Sequence, residues 1–245
     1  LYILIKSEGN LEMKYMGSKA RFAKELLPTI LTDRKPDQWY VEPFAGGMNM
    51  IDKVSGNRLA ADFHNYLIAM FKALVNDNWK PPKSISEELY IDIRSNKKKY
   101  PDELVGYVGF NSYGGKWFAG YRRDKEGKRD YWKEHYNNVM KQVPNLKGII
   151  FQCSSFTELE LPENSIIYCD PPYEGTTKYR DDFDYPLFWQ WCRDKSEEGH
   201  SVYISEYNSP SDFECVWEKQ AKSQINDMSQ KETKVSIERL FRYLG

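Results

Sequence analysis

Gln38-Trp39-Tyr40-Val41-Glu42-Pro43-Phe44-Ala45-Gly46-Gly47 is a short apolar run that closes on a proline, an aromatic ring and two glycines. The run Gln38–Glu42 predicts a strand, and the glycines predict a tight turn, with Met48–Val54 able to form a helix after it. Arg58–Ala61 reads as a second strand that ends at Asp62, and Asn65–Val75 carries apolar residues at helical spacing. Strand, glycine turn, helix, strand and terminal acid make a βαβ unit.

Working outward, Gly148–Gln152, Ser165–Cys169 and Ser201–Ser205 are three more short apolar runs, with a helix predicted from Pro186 to about Lys195. Such runs suit buried strands of a mostly parallel sheet. A helix shortened or bent at Pro28 is expected between Arg21 and Leu31. Helical patterns over Ser86–Lys97, Asp102–Phe110 and Lys128–Gln142 surround the loop Asn111–Asp124 and interrupt the strand pattern. The expected organisation is therefore α/β, a Rossmann-like fold with a mostly parallel sheet, flanking helices and an inserted, mainly helical region. Residues 13–79 and 145–245 are expected to form the α/β domain, residues 80–144 the insert, and residues 1–12 read as an extension or tag remnant. A chain of 245 residues fits one domain with such an insertion better than two large domains.

A net charge of −1 conceals a segregation. Residues 80–147 hold 15 lysines and arginines against 9 acidic residues, whereas residues 154–218 hold 4 against 15. One segment can face a polyanion while the other stays acidic, because binding follows the local field. No run approaches the roughly 18 apolar residues of a membrane helix, and Leu1–Ile5 is too short for a signal-peptide core, so no membrane partner and a cytoplasmic location are expected. Cys153, Cys169, Cys192 and Cys215 form no CxxC pair and His64, His135 and His200 are scattered, which gives no metal site. Cys153 and Cys169, in strand-like runs, are expected to be buried thiols. His64 and His135 sit in helical patterns and read as structural.

Two places carry chemistry. Gly46 and Gly47 let a cofactor approach the backbone, and Asp62 at the end of the second strand can hold two ribose hydroxyls. The turn lacks GxGxxG, so a nucleoside-bearing cofactor without phosphates fits better than a dinucleotide. Asp170-Pro171-Pro172-Tyr173 follows the strand-like Ser165–Cys169. An aspartate and a proline carbonyl can accept both hydrogens of an exocyclic amino group while the tyrosine stacks on its ring. The nitrogen lone pair then localises and attacks an electrophilic methyl in line, and the proton leaves afterwards. Ser205-Glu206-Tyr207-Asn208 would frame the target pocket, and the acidic stretch Tyr179–Tyr185 reads as a mobile loop near the site.

With the glycine turn first, DPPY about 120 residues later and an insert between them, the sequence resembles the Dam-like, D12-class adenine-N6 DNA methyltransferases of the α group. The resemblance runs from Met13 nearly to the C-terminus and rests on Lys14-Tyr15-Met16-Gly17-Ser18-Lys19, on Glu42–Gly47, on Asp62 and on Asp170–Tyr173. It implies S-adenosyl-L-methionine as cofactor, contacted by Tyr15, Lys19, Glu42, Phe44, Gly46, Gly47, Asp62, Ser155, Phe156 and Asp170, with Asp170, Pro171, Pro172 and Tyr173 catalytic. Ser154 and Ser155 stand where the family often has an acid against the cofactor's adenine. It further implies double-stranded DNA as partner, base flipping to reach the amine, and, in a restriction–modification setting, a cognate restriction endonuclease. Within the insert, Tyr113, Lys116, Trp117, Tyr121, Arg122, Arg123, Lys125, Lys128 and Arg129, interleaved with Phe118, are the candidate DNA contacts, the alternative being aromatics packed on the core. Lys97-Lys98-Lys99 reads as a solvated helix end. Cytosine-N4 or RNA adenine-N6 transfer, or a catalytically silent DNA-binding homologue, are the competing functions.

Overall fold

A computed structural model describes residues 12–124, 126–175, 183–222 and 235–245. Seven strands and six α-helices lie among the described residues, giving a mixed α/β protein whose strands are mostly paired in parallel. The chain divides into two compact units, the first drawn from Leu1–Lys24 and Pro43–Leu159, the second from Glu25–Glu42 and Glu160–Gly245. No helix among the described residues is long and apolar enough to cross a membrane.

In the first unit, β2 (Arg58–Asp62) runs parallel to β3 (Ile149–Cys153), with Arg58 opposite Ile149 and Asp62 opposite Cys153. Helix α2 (Asn65–Val75) spans the expected residues, because His64 Nδ1 accepts from Leu67 N and starts it while Leu67, Phe71 and Leu74 fill the core. Helix α3 (Glu87–Ser95) is capped by Ser86 Oγ. Helix α4 (Asp102–Phe110) lies against α2 at Gly106, where a Cβ would stand 2.1 Å from the Tyr66 carbonyl oxygen. Helix α5 (Tyr131–Leu146) begins and ends later than its periodicity suggests, since the Asp130 carboxylate accepts from Trp132 N and Lys133 N and fixes the start.

The helix expected over Met48–Val54 does not form. Gly46 and the buried Met48 both take positive φ, +48° and 60°, so the chain stays in a turn and leaves only a 3₁₀ segment at Ile51–Lys53. A buried amide holds this turn in place. Gln142 Nε2, on α5, donates to Gly47 O at 3.0 Å, Asn49 Oδ1 at 3.1 Å and Asp52 Oδ2 at 3.2 Å, while its Oε1 accepts from Met13 N. Asn49 Nδ2 donates in turn to Met13 O and Ser18 Oγ.

In the second unit, β1 (Tyr40–Glu42), β4 (Ile166–Cys169) and β5 (Ser201–Glu206) pair in parallel. Two strands absent from the sequence reading complete it: β6 (Phe213–Lys222) and β7 (Val235–Tyr243) are antiparallel to each other, and β7 is antiparallel to β5. A bulge between Cys215 and Trp217 breaks the alternation of β6. Helix α1 (Ala23–Ile30) holds Pro28 within it, and α6 (Tyr185–Glu197) starts at the Asp184 cap. The four cysteines are free thiols; Cys169 is buried as expected, but Cys153 is exposed because it closes β3 beside Phe63.

Replacing Gln142 with leucine keeps the volume but strips partners from the Met13 amide, the Gly47 carbonyl and Asn49 Oδ1. A loss on the order of 3 kcal/mol is expected in urea unfolding, as for other buried groups left unpaired. A loss below about 0.5 kcal/mol, the scale of a neutral surface change, would show that the network does not hold the turn.

Candidate active site

The glycine turn and the end of β2 are joined through Asp62. Its Oδ2 accepts from Gly46 N at 3.1 Å and its Oδ1 from His64 N at 2.9 Å, and Ala45 N donates to Ala61 O. Burial raises the Asp62 carboxyl to about 6, against the two amide bonds that pull it down. Tyr15 lies over the glycines: a Cβ on Gly46 would stand 2.7 Å from Tyr15 Cε1, and one on Gly47 2.6 Å from Tyr15 Cβ. Lys19 is buried and its Nζ donates to Gly17 O. Phe44 and Phe156 face each other with ring centroids 5.5 Å apart. Ser154 N donates to Asp62 O, while Ser155 Oγ is 2.8 Å from Thr157 Oγ1. Phe63, which the sequence reading passed over, is 68% exposed directly after Asp62; a large apolar residue following the acid at a strand end was the available signal. Of the residues expected to hold the cofactor, Tyr15, Gly46, Gly47 and Asp62 therefore meet within one unit. Glu42 belongs to the second unit, where its buried carboxylate accepts from Tyr40 OH at 2.9 Å.

The DPPY turn leaves the end of β4, in the second unit, with Asp170 half-buried. Tyr185 OH donates to Pro172 O at 3.0 Å, whereas the Pro171 carbonyl has no hydrogen-bond donor among the described residues. Tyr173 OH donates to Glu238 Oε2 at 3.2 Å, and the Tyr173 ring meets the Tyr207 ring edge to face at 4.7 Å. Burial first, then the Asp170 and Glu238 carboxylates, push the Tyr173 phenol well above its usual range, so it remains a donor. Glu206, at the end of β5, accepts from Glu174 N at 3.1 Å and Tyr207 N at 2.6 Å. Burial lifts the Glu206 carboxyl to about 7, with Asp170 and Glu174 adding to the rise. Glu174, Gly175, Glu206 and Asn208 line a pocket of about 180 Å³. Of Ser205–Asn208, expected to frame the target pocket, Glu206 and Asn208 line this pocket, while Glu238 was missed with the strand that carries it. Residues 179–182 of the acidic stretch lie outside the described residues.

The basic loop is a folded surface. Asp124 carboxylate oxygens accept from the Glu126, Lys128 and Arg129 amides and turn the chain toward α5. Arg122 stacks on Tyr131 at 4.0 Å, Arg123 pairs with Glu87, Lys128 with Glu126 at 2.5 Å, and Arg129 makes two bonds to Glu134 at 2.8 and 2.7 Å. Tyr113 is exposed and Lys116 projects outward, but Trp117 packs among His64, Tyr66, Phe110 and Phe118. Tyr121 is tied to Ile85 O. Lys125 lies outside the described residues. Among the described residues no group of acidic, histidine and cysteine side chains is arranged to hold a metal ion.

Both arrangements fall inside one relationship. Residues 15–212 match the family described as D12 class N6 adenine-specific DNA methyltransferase. The Type II methyltransferase M.FokI of Planomicrobium okeanokoites is 22% identical, over 67% of this chain and 29% of that protein. The DNA adenine methylase of Vibrio cholerae serotype O1, from two strains, is 25% identical over 66% of this chain and 64% of its own length. The chain thus spans less than two thirds of these curated relatives. Because the family match takes in the glycine turn, Asp62 and the DPPY turn together, the chain belongs to the D12 class of N6 adenine-specific DNA methyltransferases.

Proposed function

We propose that this chain transfers a methyl group from S-adenosyl-L-methionine to the N6 amino group of an adenine flipped out of double-stranded DNA. The observation that carries the reading is the acceptor pattern of the DPPY turn: Tyr185 occupies the Pro172 carbonyl, so the Asp170 carboxylate and the Pro171 carbonyl are the pair of acceptors for the two amine hydrogens. Accepting both draws the nitrogen toward tetrahedral geometry and localises its lone pair without prior deprotonation. The Tyr173 ring stacks on the base and returns part of the few kcal/mol spent in unstacking it.

The first unit supplies the cofactor's seat. The ionised Asp62 carboxylate keeps lone pairs beyond its two amide bonds and can accept from ribose hydroxyls, Phe44, Phe156 and the exposed Phe63 offer apolar faces for an adenine ring, and serines replace the usual acid at its amino edge. Bound there, S-adenosyl-L-methionine supplies the electrophilic methyl. We assign residues 80–144 to target recognition, with the exposed Tyr113 and Lys116 and the cations of the basic loop toward DNA. Their ion pairs lie at the surface, where each is worth about 0–1 kcal/mol, so phosphate can displace the carboxylates. A cognate restriction endonuclease is the further partner to seek, as one relative is named a Type II methyltransferase.

Methylation of unmodified genomic DNA followed by single-molecule mapping of modified bases tests the reading directly; N6-methyladenine at a defined site is expected, and modified cytosine would redirect it to N4 transfer. Asp170→Ala should lower turnover by orders of magnitude while duplex affinity changes little, as befits a group that acts on the transition state. Near-normal turnover in that variant removes Asp170 from the chemistry.

Cofactor affinity should depend on pH in one direction. Only ionised Asp62 accepts from both hydroxyls, and its carboxyl is raised to about 6. Calorimetry should therefore find affinity flat above about pH 7, halved near pH 6 and falling, up to tenfold per unit, below it. Asp62→Asn should flatten the profile and weaken binding by about 1.5 to 3 kcal/mol. A flat wild-type profile from pH 5 to 8 would mean that another group holds the ribose.

Recognition divides by residue type. Arg122→Ala with Arg123→Ala should flatten log affinity against log salt by roughly 0.9 for each phosphate that no longer meets a guanidinium, and weaken all duplexes alike. Tyr113→Ala should instead reduce discrimination between cognate and unrelated duplexes. Unchanged slope and unchanged discrimination together would remove this loop from the DNA-binding face.

A further inference from the structure

Three consecutive residues of the catalytic turn are each held from a different element. Tyr185 on α6 donates to Pro172 O, Glu238 on β7 accepts from Tyr173 OH, and Glu206 on β5 accepts from Glu174 N. The neighbouring Arg239 donates to Tyr207 O, and Tyr207 sets its ring edge to face against Tyr173. Strand β7 therefore commits two adjacent residues to the surroundings of one ring. Glu238 is only 7% exposed. A carboxylate is costly to bury, and such a position is held where the group accepts hydrogen bonds. The strand also lies beyond residues 15–212, the extent of the family match.

We propose that Glu238 is a positioning residue for methyl transfer: by accepting the Tyr173 hydroxyl hydrogen at 3.2 Å it fixes the far end of the ring on which the flipped base stacks. The inference rests on the functional reading above. A tyrosine anchored only at Cα turns about χ1 and, within a broad well, about χ2. A tether at the hydroxyl stops the swing about χ1; the hydroxyl oxygen lies on the χ2 axis, so rotation of the ring plane is restrained instead by the Tyr207 ring packed against it at 87°. The ring plane sets where the adenine lies, and hence how far its amine stands from Asp170. A misplacement of about 1 Å at a reacting atom costs on the order of a hundredfold in rate. Glu238 touches neither the amine nor the methyl; it acts through Tyr173.

The test is a double-mutant cycle on the full chain, read in single-turnover methylation of duplex DNA and in thermal unfolding. Glu238→Ala should slow methyl transfer about ten- to a hundredfold, with the dissociation constants of cofactor and duplex changed less than about twofold. Glu238→Gln, whose carbonyl oxygen still accepts, should recover most of that rate. Tyr173→Phe should be slow as well, and adding Glu238→Ala to it should cost nothing further, because the shared bond is already gone. Multiplicative rate losses, or a Gln variant as slow as the Ala variant with both folded, overturn the proposal. If Glu238→Ala fails to fold, Glu238→Leu replaces it in the cycle. Were wild-type protein to methylate no adenine, the functional reading would fall, and the tether's catalytic purpose with it. Non-additive unfolding midpoints would still register the bond itself, and additive midpoints would exclude it whatever the activity.

Discussion

The side-chain amide of Gln142 is the contact through which the first unit holds its glycine turn. Its two hydrogens are shared among Gly47 O, Asn49 Oδ1 and Asp52 Oδ2, and its oxygen takes the Met13 amide. A turn that passes through positive φ at Gly46 and at Met48 has no helical ladder to satisfy its own polar groups. The partner must come from elsewhere, and α5 brings it from 95 residues away in the chain. The same amide ties down the segment whose Tyr15 ring covers both glycines. Gly46 is thus required twice, once by its positive φ and once by the ring that would collide with a Cβ, and Gly47 by that ring alone.

Buried carboxylates are the second recurring device, and each is given acceptor work. Asp62 takes two backbone amides, Glu206 two more, Glu42 a phenol and Glu238 a phenol. Burial raises Asp62 and Glu206 while those donors pull them down, which leaves both titrating near neutrality rather than locked in one state. For Glu206 the sign is that of a carboxyl raised in the folded chain: its contribution to stability is fullest below the ordinary glutamate range and is lost as pH rises toward about 7. The DPPY turn lies within the acidic residues 154–218, and the cations are concentrated in residues 80–147.

Cations of this basic segment are paired with carboxylates of their own. Arg123 rests on Glu87, Lys128 on Glu126 and Arg129 on Glu134, and Arg122 and Arg129 each lie over the Tyr131 ring. The loop is shaped by Asp124, which collects three backbone amides, rather than left to its glycines.

Local spacing by itself determined the elements whose signals are local. Helix α2, the helical pattern that starts at Ser86 and the parallel apolar strands could be read because period and β-branched runs act within a few residues. The glycine turn, Asp62 and the DPPY turn were legible for the same reason, and their order along the chain pointed to the family. Only the tertiary structure decided the rest. Strands β6 and β7 carry charges on both faces and a bulge that breaks the period of two, so nothing in their sequence announces an edge hairpin. Trp117 has an aromatic neighbour in sequence but its environment is set by His64, Tyr66 and Phe110 on other elements. The same holds for the proline carbonyl that Tyr185 occupies, for the exposed Cys153 and for Glu238 beneath Tyr173. A residue's chemistry is written in its side chain, but its partners lie tens of residues away, and they are fixed only when the core closes.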